Sequence, residues 1–201
     1  MYEIFEDYDG SELPGEFGEL MLKIGVDPSS ILGFVPRRFL QFRKDVTNYS
    51  IPNNCSYVSM SAFEDANLEN IDIPKSVTEL DYLCFAGTSL TNVVIPDNVL
   101  VIANAVFHSC KSLQEVKILG ATSLGWDIFG DCIHLTKVFL NKDIIQIDAT
   151  NFYGCTRLKT IDFEGTVEEF KLRKHETPEA DLTVKCSDGE YIWSSKFVDE
   201  E

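Results

Sequence analysis

The chain has 201 residues, 44% hydrophobic and 25% charged, with 33 acidic against 17 basic side chains and a net charge of −16. A domain of this size buries on the order of 70% of its unfolded surface, so it folds without metal or disulfide staples. A disordered chain and a coiled coil are excluded, no run reaches the roughly 18 apolar residues of a membrane span, and the acid excess disfavours binding to phosphate backbones.

Residues 1–10 have neither the basic nor the apolar region of a secretory signal, and the first thirty residues carry eight acids and one base, Lys23. The expectation is a cytoplasmic protein. Phe5-Glu-Asp7-Tyr-Asp9-Gly10 with Glu16 echoes a calcium loop, but Phe5 stands at the first ligand position and Pro14 interrupts it. Residues 11–24 read as a helix, with Pro14 in its first turn and Leu20, Met21 and Ile24 on one face. Asp27-Pro28-Ser29-Ser30 breaks that helix, and apolar residues from Ile31 to Phe42 follow. Residues 1–45 are therefore expected to form an N-terminal cap.

From residue 46 the sequence repeats. Phe63, Phe85, Phe107, Phe129 and Phe152 recur at spacings of 22, 22, 22 and 23. Leu68, Leu90, Leu113, Leu135 and Leu158 follow them, and then come apolar residues two apart: Ile71/Ile73, Val93/Ile95, Val116/Ile118, Val138/Leu140 and Ile161/Phe163. A further apolar position recurs at Val58, Leu80, Ile102, Leu124 and Ile147, each five residues before its Phe. An incomplete unit, Val46-x-x-Tyr49-x-Ile51-Pro52, precedes them. Units this short cannot bury their own apolar side and must stack on their neighbours. Period-2 alternation makes each a short strand, and the strands form a ladder at about 4.8 Å per coil. Cys110, Cys132 and Cys155 fall 22 and 23 residues apart, so the repeat explains their spacing as a column of buried thiols.

The segment AFEDANLENIDIPKSVTELDYLCFAGTSLTNVVIPDNVLVIANAVFHSCKSL resembles the BspA-type leucine-rich repeat family, whose unit reads AF-x-GC-x-SL-x-x-I-x-IP-x-SVT-x-I. IDFEGTVEEFKL…LTVKCSDGEYI resembles the C-terminal unit of such proteins, and the resemblance covers about residues 46–193. It implies a β-rich solenoid of about five coils, and adhesion or protein binding without shared catalytic residues.

Residues 46–163 are thus the solenoid. Residues 164–201 are expected to form a C-terminal cap, with a helix near residues 167–172, a hairpin turning at Ser187-Asp188-Gly189, and a loose acidic tail. The three segments carry −4, −6 and −6, so the acid excess marks solubility or, as a sharper alternative, mimicry of nucleic acid toward a basic groove.

Between the apolar pairs, Asp72, Val94, Lys117, Phe139 and Asp162 point away from the core, next to Asn70, Asn92, Glu115, Lys137 and Thr160. Val94 and Phe139 are apolar where the pattern expects polar residues, which suits a binding anchor or a scattered surface hydrophobe. Trp126 lies in a unit one residue short, as a hot spot or as a plug for the gap. Leu100 and Ile145 are outward members of the second strip and candidates for a dimer contact or for plain β-propensity. His108-Ser109-Cys110 and Cys132-Ile133-His134 hold nucleophile and base residue types, but at periodic turn positions. The Asn48 and Asn54 sequons matter only in a secreted chain.

The sequence therefore predicts a non-enzymatic protein-binding module without cofactor or metal. Its partner is another protein, with no direct nucleic-acid or membrane contact, and it is a monomer or weak dimer. The first expectation is an intracellular inhibitor or adaptor, acting in the host cytoplasm if a phage or parasite encodes it. The alternative is a module of a surface adhesin. The predicted binding residues are Val94, Phe139, Trp126, Lys117, Asp72, Asn92, Lys137, Leu100 and Ile145.

Overall fold

The computed structural model describes residues 28–40 and 45–196. The helix expected over 11–24, the calcium-loop echo and the chain from residue 197 lie outside the described residues. Within the segment expected to end the 11–24 helix, Pro28–Leu32 forms a one-turn helix, α1. Pro28 takes its first position, where a missing N–H costs nothing.

One side of the solenoid carries β1 (Asn48–Ser50), β3 (Asn70–Asp72), β5 (Asn92–Ile95), β7 (Glu115–Ile118), β9 (Lys137–Leu140) and β11 (Thr160–Phe163). β1 and β3 pair in parallel, and β5, β7, β9 and β11 pair in parallel in one continuous register. The incomplete unit therefore contributes a strand of its own, and the chain makes about six turns. A second side carries β2 (Tyr57–Val58), β4 (Glu79–Leu80), β6 (Val101–Ile102) and β8 (Ser123–Leu124) as a parallel four-stranded sheet. The ladder on this side also reaches back to Val35, which bridges to Val58.

Each coil closes through a turn centred on its Phe. The turn amides donate to the next coil: Phe63 to Cys84, Phe85 to Val106, Phe107 to Ile128 and Phe129 to Asn151, at 2.8–3.1 Å. The rings of Phe63, Phe85, Phe107, Phe129 and Phe152 stack, with centroids 5.2, 5.4, 5.9 and 6.1 Å apart and planes within 14°. Parallel stacking is open-ended, and edge-on rings close it. Phe39 meets Phe63 at 83° and Trp193 meets Phe152 at 87°. The Leu column is buried throughout.

Each turn bends through left-handed backbone two residues after its Phe, and the first four turns do so two residues before it as well. Ser61, Leu83, Ala105 and Asp127 occupy the first position at φ 55–57°, and Asp65, Gly87, Ser109, Asp131 and Gly154 the second at φ 55–70°. Gly87 answers a second demand: a Cβ there would run into the Asp65 carboxylate of the preceding coil.

In the last repeat β10 (Ile147–Asp148) leads into a 3-10 turn that ends on Phe152, and after that repeat Thr166 caps α2 (Val167–Arg173). β12 (Lys174–His175) then pairs in parallel with β10. β13 (Leu182–Cys186) joins β11 in parallel, and β14 (Gly189–Trp193) returns antiparallel to it. Phe170 and Trp193 pack edge to face at 5.4 Å beneath the ring column.

Candidate protein-binding surfaces

The strand register sets out two rows of outward side chains. One runs Asn92, Glu115, Lys137, Thr160 and Thr183, and the other Val94, Lys117, Phe139, Asp162 and Lys185. Asp72 and Asn70 stand on the neighbouring two-stranded sheet, where the Asn70 amide donates to Asn48 Oδ1 at 2.7 Å. Parallel strands buried on one face present alternate residues to the other, which places these side chains outside. Val94 is 54% exposed, and Phe139 is half-buried between Lys117 and Asp162. Glu115 bridges Lys117 and Lys137 at 3.4 and 3.3 Å. The Lys137 ammonium holds the Glu115 carboxyl below its usual range. The structure thus brings Val94, Phe139, Lys117, Lys137 and Asn92 onto one sheet face, with Asp72 at its margin.

Leu100 and Ile145 lie on a different side. Backbone bonds order Ser56, Thr78, Leu100, Thr122 and Ile145 in one column. Ile145 is 75% exposed and Leu100 is exposed, but Thr122 separates them by one coil.

Trp126 lies on a third side, the Phe-centred turns. It is 63% exposed, so it plugs no gap. The missing residue is absorbed instead at Gly120, which presses onto the Asp97 main chain so closely that a Cβ could not be accommodated. Trp126 shares a column with Met60, Tyr82 and Asn104: Ser61, Leu83 and Ala105 donate to the carbonyls of Tyr82, Asn104 and Trp126. The Trp126 N–H donates to Asn104 Oδ1 at 2.9 Å. Sequence reasoning missed Tyr82. Its position three residues before Phe85 matches that of Trp126 before Phe129, and that spacing was the available signal.

The cysteine–histidine pairs do not converge. The Cys110 and Cys132 thiols donate to the carbonyls of Phe85 and Phe107, each at 3.1 Å. His108 Nδ1 faces Asp127 Oδ2 at 2.9 Å, and His134 Nδ1 lies 2.6 Å from the Lys111 carbonyl. No cysteine is in a disulfide, and among the described residues no group of His, Cys, Asp or Glu is placed to hold a metal ion. Among the described residues no helix is long and apolar enough to cross a membrane.

The model of the BspA type leucine rich repeat region matches residues 37–159 in six copies. The chain belongs to this family. Its repeat region shares its fold with a leucine rich cell surface protein from Faecalibacterium prausnitzii, at TM-score 0.54 and 22% identity over 66% of this chain and 36% of that one. It is similar to the pneumococcal vaccine antigen PcpA at TM-score 0.56 and 15% identity, over 68% of this chain and 34% of that one. A leucine rich repeat protein from T. pallidum matches at TM-score 0.54 and 21% identity, over 70% of this chain and 73% of that one. The chain spans about a third of the length of the first two. Comparison with curated proteins finds no match.

These relatives correct the cytoplasmic expectation. That expectation rested on the composition of the first thirty residues, whereas a structural neighbour of this BspA-type repeat is described as a cell surface protein. An N-terminal composition without a signal pattern describes only what is lacking and does not fix a location. The inhibitor or adaptor expectation finds no counterpart among these neighbours. Leucine rich repeats of this family serve generally as binding modules rather than enzymes.

Proposed function

We propose that this chain is the binding module of a surface or extracellular protein, and that it holds another protein on the outward face of its strand ladder. It acts without catalysis and without a cofactor. The observation that supports this is the pair of apolar side chains on an otherwise polar, salt-bridged sheet: exposed Val94 and half-buried Phe139, with Lys117 between them in register. Apolar anchors within a polar rim are the arrangement in which a few residues carry most of the binding energy. The rigid ladder holds them with little ordering cost. Asn92, Lys137 and Asp72 form the rim, and the exposed Leu100 and Ile145 column remains available as a weak contact between copies.

The test is capture of host or matrix proteins by the tagged chain, with Val94→Asp/Phe139→Asp as the comparison. The double variant should lose its captured partner and keep its thermal midpoint within a few degrees. A collapsed midpoint would show that the two side chains are core and remove this face from consideration. Val94→Asp alone, at the more exposed site, separates the two outcomes. Protease treatment of intact cells, releasing the repeat from the surface, tests the location.

A further inference from the structure

Three sides of the solenoid differ in charge, although its acids are spread evenly along the chain. In the five turns 59–66, 81–88, 103–110, 125–132 and 148–155 there are six acids and no Lys or Arg. Asp65 and Asp131 are exposed and Glu64, Asp81 and Asp127 half-buried on that side. Arg37 and Arg38 stand beyond its N-terminal end. Lys117, Lys137, Lys159 and Lys185 all lie on or beside the strand ladder instead.

The same acidic side exposes large rings. Trp126 (63%) and Tyr82 (44%) occupy one column with Asn104 between them, and Tyr153 is exposed on the last turn. Two coils separate Tyr82 from Trp126, or about 10 Å along the ladder. A cation is attracted by an aromatic face within about 6 Å, so a charged head group seated over Asn104 reaches both rings. Asp81, adjacent to Tyr82, and Asp127, adjacent to Trp126 and also facing His108 Nδ1, supply the counter-charge.

We propose that this turn side is a second recognition surface, and that its partner is a cationic polypeptide segment inserting Lys or Arg side chains between Tyr82 and Trp126. Charge complementarity selects this occupant: an acidic or neutral segment would meet the carboxylates uncompensated. The inference rests on the reading of the chain as a protein-binding module, but it uses a different face from the strand ladder.

The molecule supplies its own reporter. Of its two tryptophans, Trp193 is buried with its indole N–H donating to the Glu176 carbonyl, so an aqueous quencher reaches Trp126. Titration of the full chain with a short polyarginine peptide should saturate and should shield the fluorescence from acrylamide. Calorimetry should show Tyr82→Ala and Trp126→Ala each weakening the peptide roughly tenfold, with folding checked by circular dichroism. Asp127→Asn should weaken it too. Polyglutamate should not bind, and Val94→Asp/Phe139→Asp should bind polyarginine as the parent does. Absence of peptide binding, an unshielded Trp126, or affinity unchanged in Tyr82→Ala would overturn the proposal. Loss of the peptide in the strand-face variant would also overturn it, by moving the cation site to the ladder. Failure of the strand face alone, with peptide binding kept, would overturn the ladder reading and leave this one standing.

Discussion

Three buried sulfurs in one column illustrate how much one position in a coil dictates. Three residues after each Phe, the column reads Ala66, Thr88, Cys110, Cys132 and Cys155. All are buried, and each Cys donates its S–H to a Phe carbonyl 25 or 26 residues back, at 3.1 Å. Burial raises Cys84 and pushes Cys155 up to about 12, while the neighbouring Cys110 sulfur together with burial raises Cys132. A thiol held protonated is a poor nucleophile. Burial raises the Cys186 thiol as well, so access decides: Ellman's reagent should label half-buried Cys186 in the native protein, and the five buried cysteines only on unfolding. Rapid native labelling of Cys110 or Cys132 would contradict this. The even cysteine spacing was legible in the sequence, since it tracked the repeat. The exposure of Trp126 was not, because nothing in the sequence showed that Gly120 takes up the deletion.

At the scale of an element, α2 shows a terminus set by two side chains. Thr166 Oγ1 accepts from the Glu169 N–H at 3.2 Å, and Glu169 Oε2 accepts from the Thr166 N–H at 2.7 Å. That second bond is the main reason the Glu169 carboxyl lies below its usual range. A carboxyl depressed in the folded state stabilises above its unfolded pKa and loses that contribution as pH falls through the folded value. Thermal midpoints of the parent and Glu169→Gln should thus differ most near neutral pH and converge in acid. A constant gap would assign the bond no ionic character. The strands themselves were plain from period-2 alternation. The left-handed positions were hidden: Leu83 and Ala105 carry them without glycine, held by bonds to the next coil. β12 was missed for a related reason. Two residues are too few for a period, and only its pairing with β10 makes it a strand.

For the whole molecule, the five stacked rings are the connection between coils. Phe107 sits in the middle, with Phe85 on one face and Phe129 on the other. Phe107→Ala leaves a ring-sized void facing both, and should cost about 3–5 kcal/mol. Because each coil touches only its neighbours, the loss should also uncouple the two halves. Urea denaturation should then show a lower midpoint together with a shallower slope, as the cooperative unit shrinks. An unchanged slope would mean that the ladders alone keep the halves coupled. The repeat made this architecture readable before any coordinates, since five phased Phe residues leave few other arrangements. The division of charge among the sides was not readable, because net charge summed along the chain averages over faces that only the coil separates.

The in-register ladder has a consequence for how this surface can change. Every coil bonds to the next through the same positions, so duplication or loss of one 22-residue unit would leave all the other pairings in register. Each such event would shift the distance between anchors on a face by one step of about 4.8 Å. Val94 and Phe139, like Tyr82 and Trp126, are spaced two such steps apart. The molecule is in this sense a graduated ruler: a partner of different pitch can be met by adding or removing a division, without redesigning the core.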